Sequence, residues 1–277
     1  MKKLPIFVGT GTAMITPFKK DLSVDYEALK RLAEIQLKAG VGALIMCGTT
    51  GESSTLEREE KAEIIRIIKD FVKNDCAVIA GTGCNNTKNA LIFTQDAYEA
   101  GADGILAVTP YYNKTTQDGI IRYYKDICGV SPLPVIAYNV PSRTGVNILP
   151  STAKELWNIK NLNGIKEACG NMGQITELKS LCGEMHLYSG SDEINLPILS
   201  VGGIGLISVV SNALPEKTQE MCNRWFEGDT KGALKIQLAL MPLIKQLFSS
   251  VNPMPIKKYL YEKGLTEYTL RPPLYAE

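Results

Sequence analysis

The chain of 277 residues contains one histidine, His186, and two tryptophans. A Ser-His-Asp triad would have to use that single histidine, which lies inside an apparent strand, and a histidine-rich metal site is impossible. The pairs Gly9-x-Gly11 and Gly81-x-Gly83 both lack the third glycine of a dinucleotide fingerprint, and no G-x-x-x-x-G-K-[ST] sequence occurs. We therefore expect a structural role for His186, and we expect neither a metal ion nor a nucleotide cofactor.

The chain also lacks an excess of charge and a long apolar segment. Its 30 Lys and Arg residues and 29 Asp and Glu residues give a formal net charge of +1, so no overall field attracts nucleic acid or an anionic membrane. No segment approaches the apolar length that spans a bilayer, and the N-terminus lacks the apolar stretch of a signal peptide. These features predict small-molecule partners, with no nucleic acid or membrane, and a cytoplasmic location. The seven cysteines form no C-x-x-C pair, so we expect them to be reduced.

Eight short apolar runs, rich in residues that favour strands, alternate with amphipathic stretches. Hydrophobic residues make up 45% of the chain, enough for a large core. The runs predict buried parallel strands, and the amphipathic stretches, such as 26–38, 56–72, 88–99 and 152–159, predict crossover helices. The predicted strands are residues 8–15, 43–47, 77–80, 104–109, 134–139, 163–167, 185–189 and 206–211.

Eight strands are the number that closes a barrel, so the fold class is predicted to be α/β, a (β/α)₈ TIM barrel. A doubly wound open sheet would need fewer strands, and a solenoid would need a sequence repeat that is not found. After residue 214 the strand pattern stops, and helices are predicted over 217–226, 232–248 and 254–263. We therefore predict a catalytic barrel over 1–214 and a small helical C-terminal domain over 215–277.

Chemistry in such a barrel takes place at the carboxyl ends of the strands, and here those ends are polar. Lys166 lies in an apolar strand, where burial favours the neutral amine and lowers its pKa from about 10.4 toward neutrality. That makes it a candidate nucleophile. The alternative is a structural lysine paired with Glu167, which strand alternation disfavours because neighbouring side chains point to opposite faces.

Three further candidates end other strands. Tyr138 has a phenol that can relay protons, although a lone tyrosine is more often a packed aromatic. Thr49 offers a hydroxyl in a glycine-containing turn, and Arg143 offers a planar guanidinium that suits a substrate carboxylate, although a surface arginine is the commoner case. A common rim would bring these residues together with Lys166. Asp192, by contrast, follows a strand and is predicted to cap the next helix rather than to bind a metal.

The motifs of three strand ends resemble the dihydrodipicolinate synthase family, and the resemblance runs nearly end to end. The family also includes N-acetylneuraminate lyase and related pyruvate-dependent aldolases. The resemblance is carried by Gly48-Thr49-Thr50-Gly51-Glu52, Tyr138-Asn139-Val140-Pro141-Ser142-Arg143-Thr144-Gly145 and Gly164-Ile165-Lys166-Glu167. It implies a carbon–carbon lyase that condenses pyruvate with L-aspartate 4-semialdehyde through a Schiff base, the first committed step of lysine biosynthesis. No cofactor is implied, because the imine is itself the electron sink.

The resemblance also assigns roles to eight residues. Lys166 would form the Schiff base, and Tyr138, Thr49 and a Tyr112 from a neighbouring subunit would form a proton relay. The substrate-binding residues would be Thr50 for the pyruvate carboxylate, Arg143 for the semialdehyde carboxylate, and Gly190 and Ile207 through backbone groups. A tyrosine shared between chains implies a homo-oligomer, and family members are commonly tetramers built as a dimer of dimers.

Two departures from the family pattern matter. The positions that match the lysine-inhibitory site are Arg58, Lys61 and Asn89, whose positive charge disfavours a cationic effector, so lysine feedback is expected to be weak or absent. The C-terminus is shorter than is usual for the family, so a terminal helix is expected to be missing. Two other functions stay open: a sister aldolase that cleaves a sialic or sugar acid, and a barrel that senses a small acid without turnover.

Overall fold

The computed structural model describes residues 3–276. Eight parallel strands close into a barrel in chain order, each paired with its neighbours in the sequence and β1 with β8. The predicted (β/α)₈ barrel is therefore confirmed. The strands are β1 (Gly9–Ala13), β2 (Ala43–Met46), β3 (Ala77–Gly81), β4 (Gly104–Val108), β5 (Val135–Asn139), β6 (Leu162–Glu167), β7 (His186–Ser189) and β8 (Gly205–Ser208).

Helices follow the strands and cover the outside of the barrel. Their start points carry ordinary capping signals: the Asp25 carboxylate accepts a bond from the Ala28 N–H at 2.9 Å, and Glu57 and Glu60 form a capping box. The helices are α1 (Tyr26–Lys38), α2 (Arg58–Val72), α3 (Thr87–Glu99), α4 (Gln117–Val130), α5 (Pro141–Thr144), α6 (Pro150–Trp157), α7 (Met172–Leu181), α8 (Asn195–Ser200), α9 (Pro215–Phe226), α10 (Thr230–Leu247) and α11 (Met254–Glu262). Within residues 3–276, no helix is long and apolar enough to cross a membrane.

Helix α9 packs directly on the barrel. Its Gln219 side chain accepts a hydrogen bond from the Thr10 N–H of β1 at 3.2 Å, and the Thr10 hydroxyl lies 3.5 Å from Cys222 Sγ. Met221 and Cys222 are fully buried against the strand side. The sequence-based boundary at residue 214 falls before this helix, whereas the packing makes α9 the last helix of the ring. The appendage that lies beyond the ring consists of α10, α11 and the segment after them.

Aromatic and apolar side chains fill the barrel interior at the amino ends of the strands. Phe7 and Tyr188 stack with ring centroids 4.6 Å apart, and the Tyr188 hydroxyl donates to the Phe7 carbonyl at 3.0 Å. Both rings belong to a buried cluster with inward side chains such as Ile45, Leu106 and Ile207. The aromatic pair closes the amino end of the barrel, so a cavity can open only at the carboxyl ends of the strands.

The last strand ends earlier than the sequence indicated. The prediction extended it to residue 211, whereas β8 stops at Ser208 and residues 210–212 form a turn of 3₁₀ helix. The N–H groups of Val209 and Val210 donate to the Asp192 carboxylate at 2.9 and 3.1 Å instead of to a strand. His186, at the start of β7, packs edge-on against Trp157 and lies 3.2 Å from the Asn163 side chain, in agreement with a structural role.

Candidate active site

A cavity of about 550 Å³ opens at the carboxyl ends of the strands. Of the eight residues that the resemblance assigned, six line it, and two do not. The six assigned residues that line the cavity are Lys166, Tyr138, Thr49, Thr50, Arg143 and Gly190. They come from the ends of four different strands, so the barrel itself brings together side chains that are far apart in the sequence.

Lys166 lies on β6, directly opposite Tyr138 of β5 in the strand register. Its side chain is 6% exposed, and its Nζ lies 4.1 Å from the centroid of the Tyr138 ring. Burial lowers the pKa of Lys166 to about 7; the negative charge of Asp192 opposes this shift, and the positive charge of Arg143 adds to it. The lowered pKa makes the neutral, nucleophilic form of the amine accessible at neutral pH.

Glu167 does not pair with Lys166. It faces the outside of the barrel, where its two oxygens accept bonds from the Asn139 amide at 3.0 and 3.1 Å, and one also accepts from the Cys169 N–H at 2.8 Å. Burial raises the pKa of this carboxyl. The structure thus agrees with the alternation argument and removes the structural alternative in which Glu167 neutralises the lysine.

Gly190 provides the space in which the Lys166 side chain lies. A Cβ atom at position 190 would stand 2.9 Å from Lys166 Cε and 2.8 Å from the Ala168 Cβ. Both distances are shorter than ordinary contacts between carbon atoms. The loop after β7 therefore needs glycine here, because any side chain would displace the lysine.

The Tyr138 ring contacts the Lys166 amine, and its phenol forms a hydrogen bond with Thr49. Burial raises the pKa of Tyr138 to about 12, while Arg143 and a hydrogen bond with Thr49 act in the opposite direction. The phenol is therefore protonated at neutral pH and can donate a proton. The Thr49 turn is tight, with the Gly51 N–H donating to the Gly48 carbonyl at 3.1 Å.

Thr50 and Arg143 supply polar groups around the mouth of the cavity. The Thr50 hydroxyl accepts a hydrogen bond from the Asn252 side-chain amide at 3.0 Å. Arg143 lies in α5, directly after β5, and is exposed, with one long bond of 3.5 Å from its Nη2 to the Asn252 carbonyl. Most donors of this guanidinium are thus available to a ligand carboxylate.

Tyr112 and Ile207 do not reach the cavity wall. The Tyr112 side chain is 90% exposed and projects from a backbone with φ of +69°, while the neighbouring Tyr111 lines the cavity. Ile207 is buried among the apolar side chains of the barrel interior. The roles of Tyr112 from a second subunit and of the Ile207 backbone stay predictions.

Asp192 does not cap the following helix, contrary to the prediction from the sequence. It was predicted to cap the helix that follows, but no side-chain cap bond forms there; instead the carboxylate accepts the Val209 and Val210 N–H groups and lines the cavity near Lys166. The partners lie 17 and 18 residues away, so no local pattern indicated them. Among residues 3–276, no group of three His, Cys, Asp or Glu side chains could hold a metal ion.

The appendage also contributes to the cavity, which the sequence did not indicate. Ile244 on α10 and Phe248 and Asn252 after it line the mouth of the cavity. The sequence predicts this segment as a small C-terminal helical domain, with no indication that it lines the cavity. A polar asparagine between two apolar helical segments was the one local signal, and it is also typical of an ordinary loop.

Comparison with known proteins identifies the family. Residues 6–276 match the profile of the dihydrodipicolinate synthetase family. The chain belongs to this family. It is similar to the 4-hydroxy-tetrahydrodipicolinate synthase of Caldicellulosiruptor saccharolyticus, with 49% identity over 271 residues that cover 98% of this chain and 92% of that protein. Its similarity to these relatives identifies the chain as a lyase of the 4-hydroxy-tetrahydrodipicolinate synthase type, as the strand-end motifs implied.

Solved structures of the family superpose closely. Dihydrodipicolinate synthase from Thermotoga maritima matches with a TM-score of 0.95 and 41% identity, covering 98% of this chain and 94% of that one. The chloride-inhibited enzyme from Acinetobacter baumannii, complexed with pyruvate, matches with a TM-score of 0.95 and 39% identity, covering 97% of this chain and 93% of that one. The barrel that contains the cavity therefore superposes on family members over nearly the whole length of the chain.

Proposed function

We propose that this enzyme condenses pyruvate with L-aspartate 4-semialdehyde through a Schiff base on Lys166. The observation that carries the proposal is the buried Lys166 amine, whose pKa is lowered to about 7, lying against Tyr138 in the cavity. A neutral amine is the form that attacks a carbonyl carbon. The pyruvate complex of the Acinetobacter baumannii relative supports pyruvate as the first substrate.

The proposed reaction starts with attack of the Lys166 nitrogen on the pyruvate keto carbon and loss of water, which gives the imine. Loss of a proton from the methyl group turns the imine into an enamine, and the enamine carbon adds to the aldehyde. Release of the lysine amine and cyclisation then give the product. No cofactor is required, because the protonated imine accepts the electrons that the carbon–hydrogen bond leaves behind.

Tyr138 and Thr49 are proposed to move the protons of these steps. The Tyr138 phenol, with its pKa raised to about 12, can protonate the departing hydroxyl of the carbinolamine and recover the proton through the Thr49 hydroxyl. Tyr112 of a neighbouring subunit would continue the relay toward solvent. This requires a homo-oligomer, which we propose to be a tetramer, a dimer of dimers. The 90% exposure of Tyr112 supports a partner there.

The two substrate carboxylates are proposed to bind different groups. Thr50, which lines the same cavity as Lys166, would bind the pyruvate carboxylate together with backbone groups of Gly190 and Ile207. Arg143, at the mouth, would bind the semialdehyde carboxylate through its planar guanidinium. A sialic or sugar acid has several hydroxyls in place of that second carboxylate, so the position of Arg143 favours the semialdehyde.

The test compares the two substrate classes with purified protein. Pyruvate with L-aspartate 4-semialdehyde should be turned over, whereas pyruvate with N-acetylmannosamine should not. Arg143→Gln should raise the KM for the semialdehyde by about 100-fold and change the KM for pyruvate little, because a charged hydrogen-bonded pair contributes about 2–3 kcal/mol. Comparable turnover with the amino sugar would contradict the proposed substrate, and turnover with neither pair would contradict the enzyme assignment.

A further inference from the structure

Asn252 connects the C-terminal appendage to the polar groups of the cavity. It lies between α10 and α11, 202 residues from Thr50, and its side-chain nitrogen donates to the Thr50 hydroxyl at 3.0 Å. Its backbone carbonyl accepts from Arg143 at 3.5 Å. Asn252 and Thr50 are 7% and 3% exposed, so the bond between their side chains is shielded from solvent.

The direction of this hydrogen bond has a chemical consequence. A threonine hydroxyl has one proton to donate and two lone pairs that accept. Because the Asn252 nitrogen can only donate, the Thr50 oxygen must be the acceptor, and the Thr50 proton is left for another acceptor. In the proposed reaction, which this inference relies on, that acceptor is a carboxylate oxygen of pyruvate.

Two further contacts secure the same loop. Glu52, two residues after Thr50, forms a buried ion pair with Lys257 of α11 and accepts the Arg271 N–H at 3.0 Å. Both members of the ion pair are almost wholly inaccessible to solvent, with side chains 0% and 1% exposed. The turn after β2 is therefore attached to the appendage at Thr50 and at Glu52, and Asn252 is the attachment that contacts a proposed substrate ligand directly.

We propose that Asn252 is a positioning residue for pyruvate, which acts by orienting the Thr50 hydroxyl toward the substrate carboxylate. The appendage is thus part of the substrate-binding machinery of the barrel. The Asn252 Oδ1 atom is buried and has no hydrogen-bond partner among residues 3–276. The bond to Thr50 is therefore the one polar contact of this side chain, and shortening the side chain removes no other side-chain hydrogen bond.

The test is a double-mutant cycle on the full-length protein, with Asn252→Ala, Thr50→Val and the combination. Asn252→Ala should raise the KM for pyruvate by about tenfold and change kcat by less than about threefold, the effect of one hydrogen bond in binding. In the Thr50→Val background the same substitution should change KM by less than about threefold, because the hydroxyl it orients is absent. Effects that multiply in the double variant would overturn the proposal.

Asn252→Asp gives an independent test with a side chain of nearly the same shape, and it remains usable if Asn252→Ala does not fold. An aspartate carboxylate would accept the Thr50 proton and repel the pyruvate carboxylate, so the KM for pyruvate should rise by about 100-fold. A wild-type KM in Asn252→Asp would mean that the amide accepts rather than donates, and it would overturn the proposal. Ser249→Ala is the matched control, since Ser249 lies in the same loop and its hydroxyl donates to the Gln246 carbonyl at 2.8 Å, away from Thr50.

The outcome also separates this inference from the proposed function. Wild-type protein that does not turn over pyruvate with the semialdehyde contradicts the proposed function itself. Wild-type protein that is active, with Asn252 variants whose KM values match the Ser249→Ala control, contradicts only the role of Asn252.

Discussion

Burial controls the chemistry of the residue at the centre of the site. The pKa of Lys166 is lowered to about 7 because its amine is surrounded by protein rather than water. The protonated amine cannot attack a carbonyl, and the neutral fraction rises as pH passes the pKa. The kcat/KM for pyruvate should therefore increase with pH and level off above about 7.

A pH profile of kcat/KM from pH 5 to 9 checks this. Tyr138 has a pKa of about 12 and stays protonated over that range, so no falling limb from this phenol is expected. Asp192→Asn gives a second check. The Asp192 charge raises the pKa of Lys166, so its loss should move the midpoint of the pH profile to lower pH. A rising limb centred near 10, the value of a free lysine, would contradict a buried amine.

The residues that the sequence could predict are those whose role follows from a strand end. Lys166 and Tyr138 each occupy the carboxyl end of an apolar run, and period-two alternation is enough to separate the side of Lys166 from that of Glu167. Asn252 and Asp192 could not be found in this way, because their partners lie 202 residues and 17 residues away. Contacts of that kind exist only once the chain is folded.

At the scale of helices and strands, the apolar runs were sufficient to predict the barrel. The helix predicted over 26–38 has those bounds in the structure, and the strands differ by a few residues at their ends. The largest difference is at β8, where the Asp192 carboxylate takes the backbone N–H groups that would have continued the strand. Local periodicity contains no information about such a side-chain acceptor.

The attachment of the appendage to the β2 turn predicts a large effect on stability. Lys257→Met removes one partner of the buried ion pair with Glu52 and leaves a buried carboxylate without its counter-charge. The free energy of unfolding should fall by about 3–5 kcal/mol. Denaturant unfolding at a fixed protein concentration measures the change.

Combining Lys257→Met with Glu52→Gln should recover a large part of this loss, because the unpaired charge is then absent. Lys263→Met, at an exposed position after α11, is the control and should change stability by less than about 0.5 kcal/mol. A Lys257→Met protein as stable as this control would contradict the role of the buried pair.

At the scale of the whole molecule, the surface formed by α2 and α3 is relevant to inhibition by lysine. Arg58 on α2 binds Asp96 of α3 at 2.6 and 2.7 Å, and the Lys61 amine lies 4.1 Å from the Phe93 ring centroid. The family resemblance assigns Arg58, Lys61 and Asn89 of α3 to the positions of the inhibitory site of lysine-sensitive relatives. Asp96 balances the charge of Arg58, and the remaining positive charge of Lys61 disfavours a cationic amino acid.

We therefore expect L-lysine to inhibit the enzyme weakly, by less than half at about 1 mM. Initial rates at increasing lysine concentration, with potassium chloride at matched ionic strength as the control, measure this. Half-inhibition at submillimolar lysine would contradict the charge argument.

The proposed sharing of Tyr112 between subunits predicts complementation. Tyr112→Phe and Lys166→Met should each have little activity, while a mixed assembly contains sites that combine an intact lysine from one chain with an intact tyrosine from the other. Random reassociation in pairs should restore about a quarter of the wild-type activity. Absence of recovery, in a mixture that native mass spectrometry shows to be hybrid, would contradict the shared relay.

The central claim is that Lys166 forms the covalent intermediate with pyruvate, and borohydride reduction tests it most directly. Incubation of the wild-type protein with pyruvate and borohydride should inactivate it and place one reduced pyruvate adduct on the peptide that contains Lys166. Lys166→Arg should acquire no adduct under the same conditions. An active wild-type protein that carries no label at Lys166 after this treatment would contradict the account.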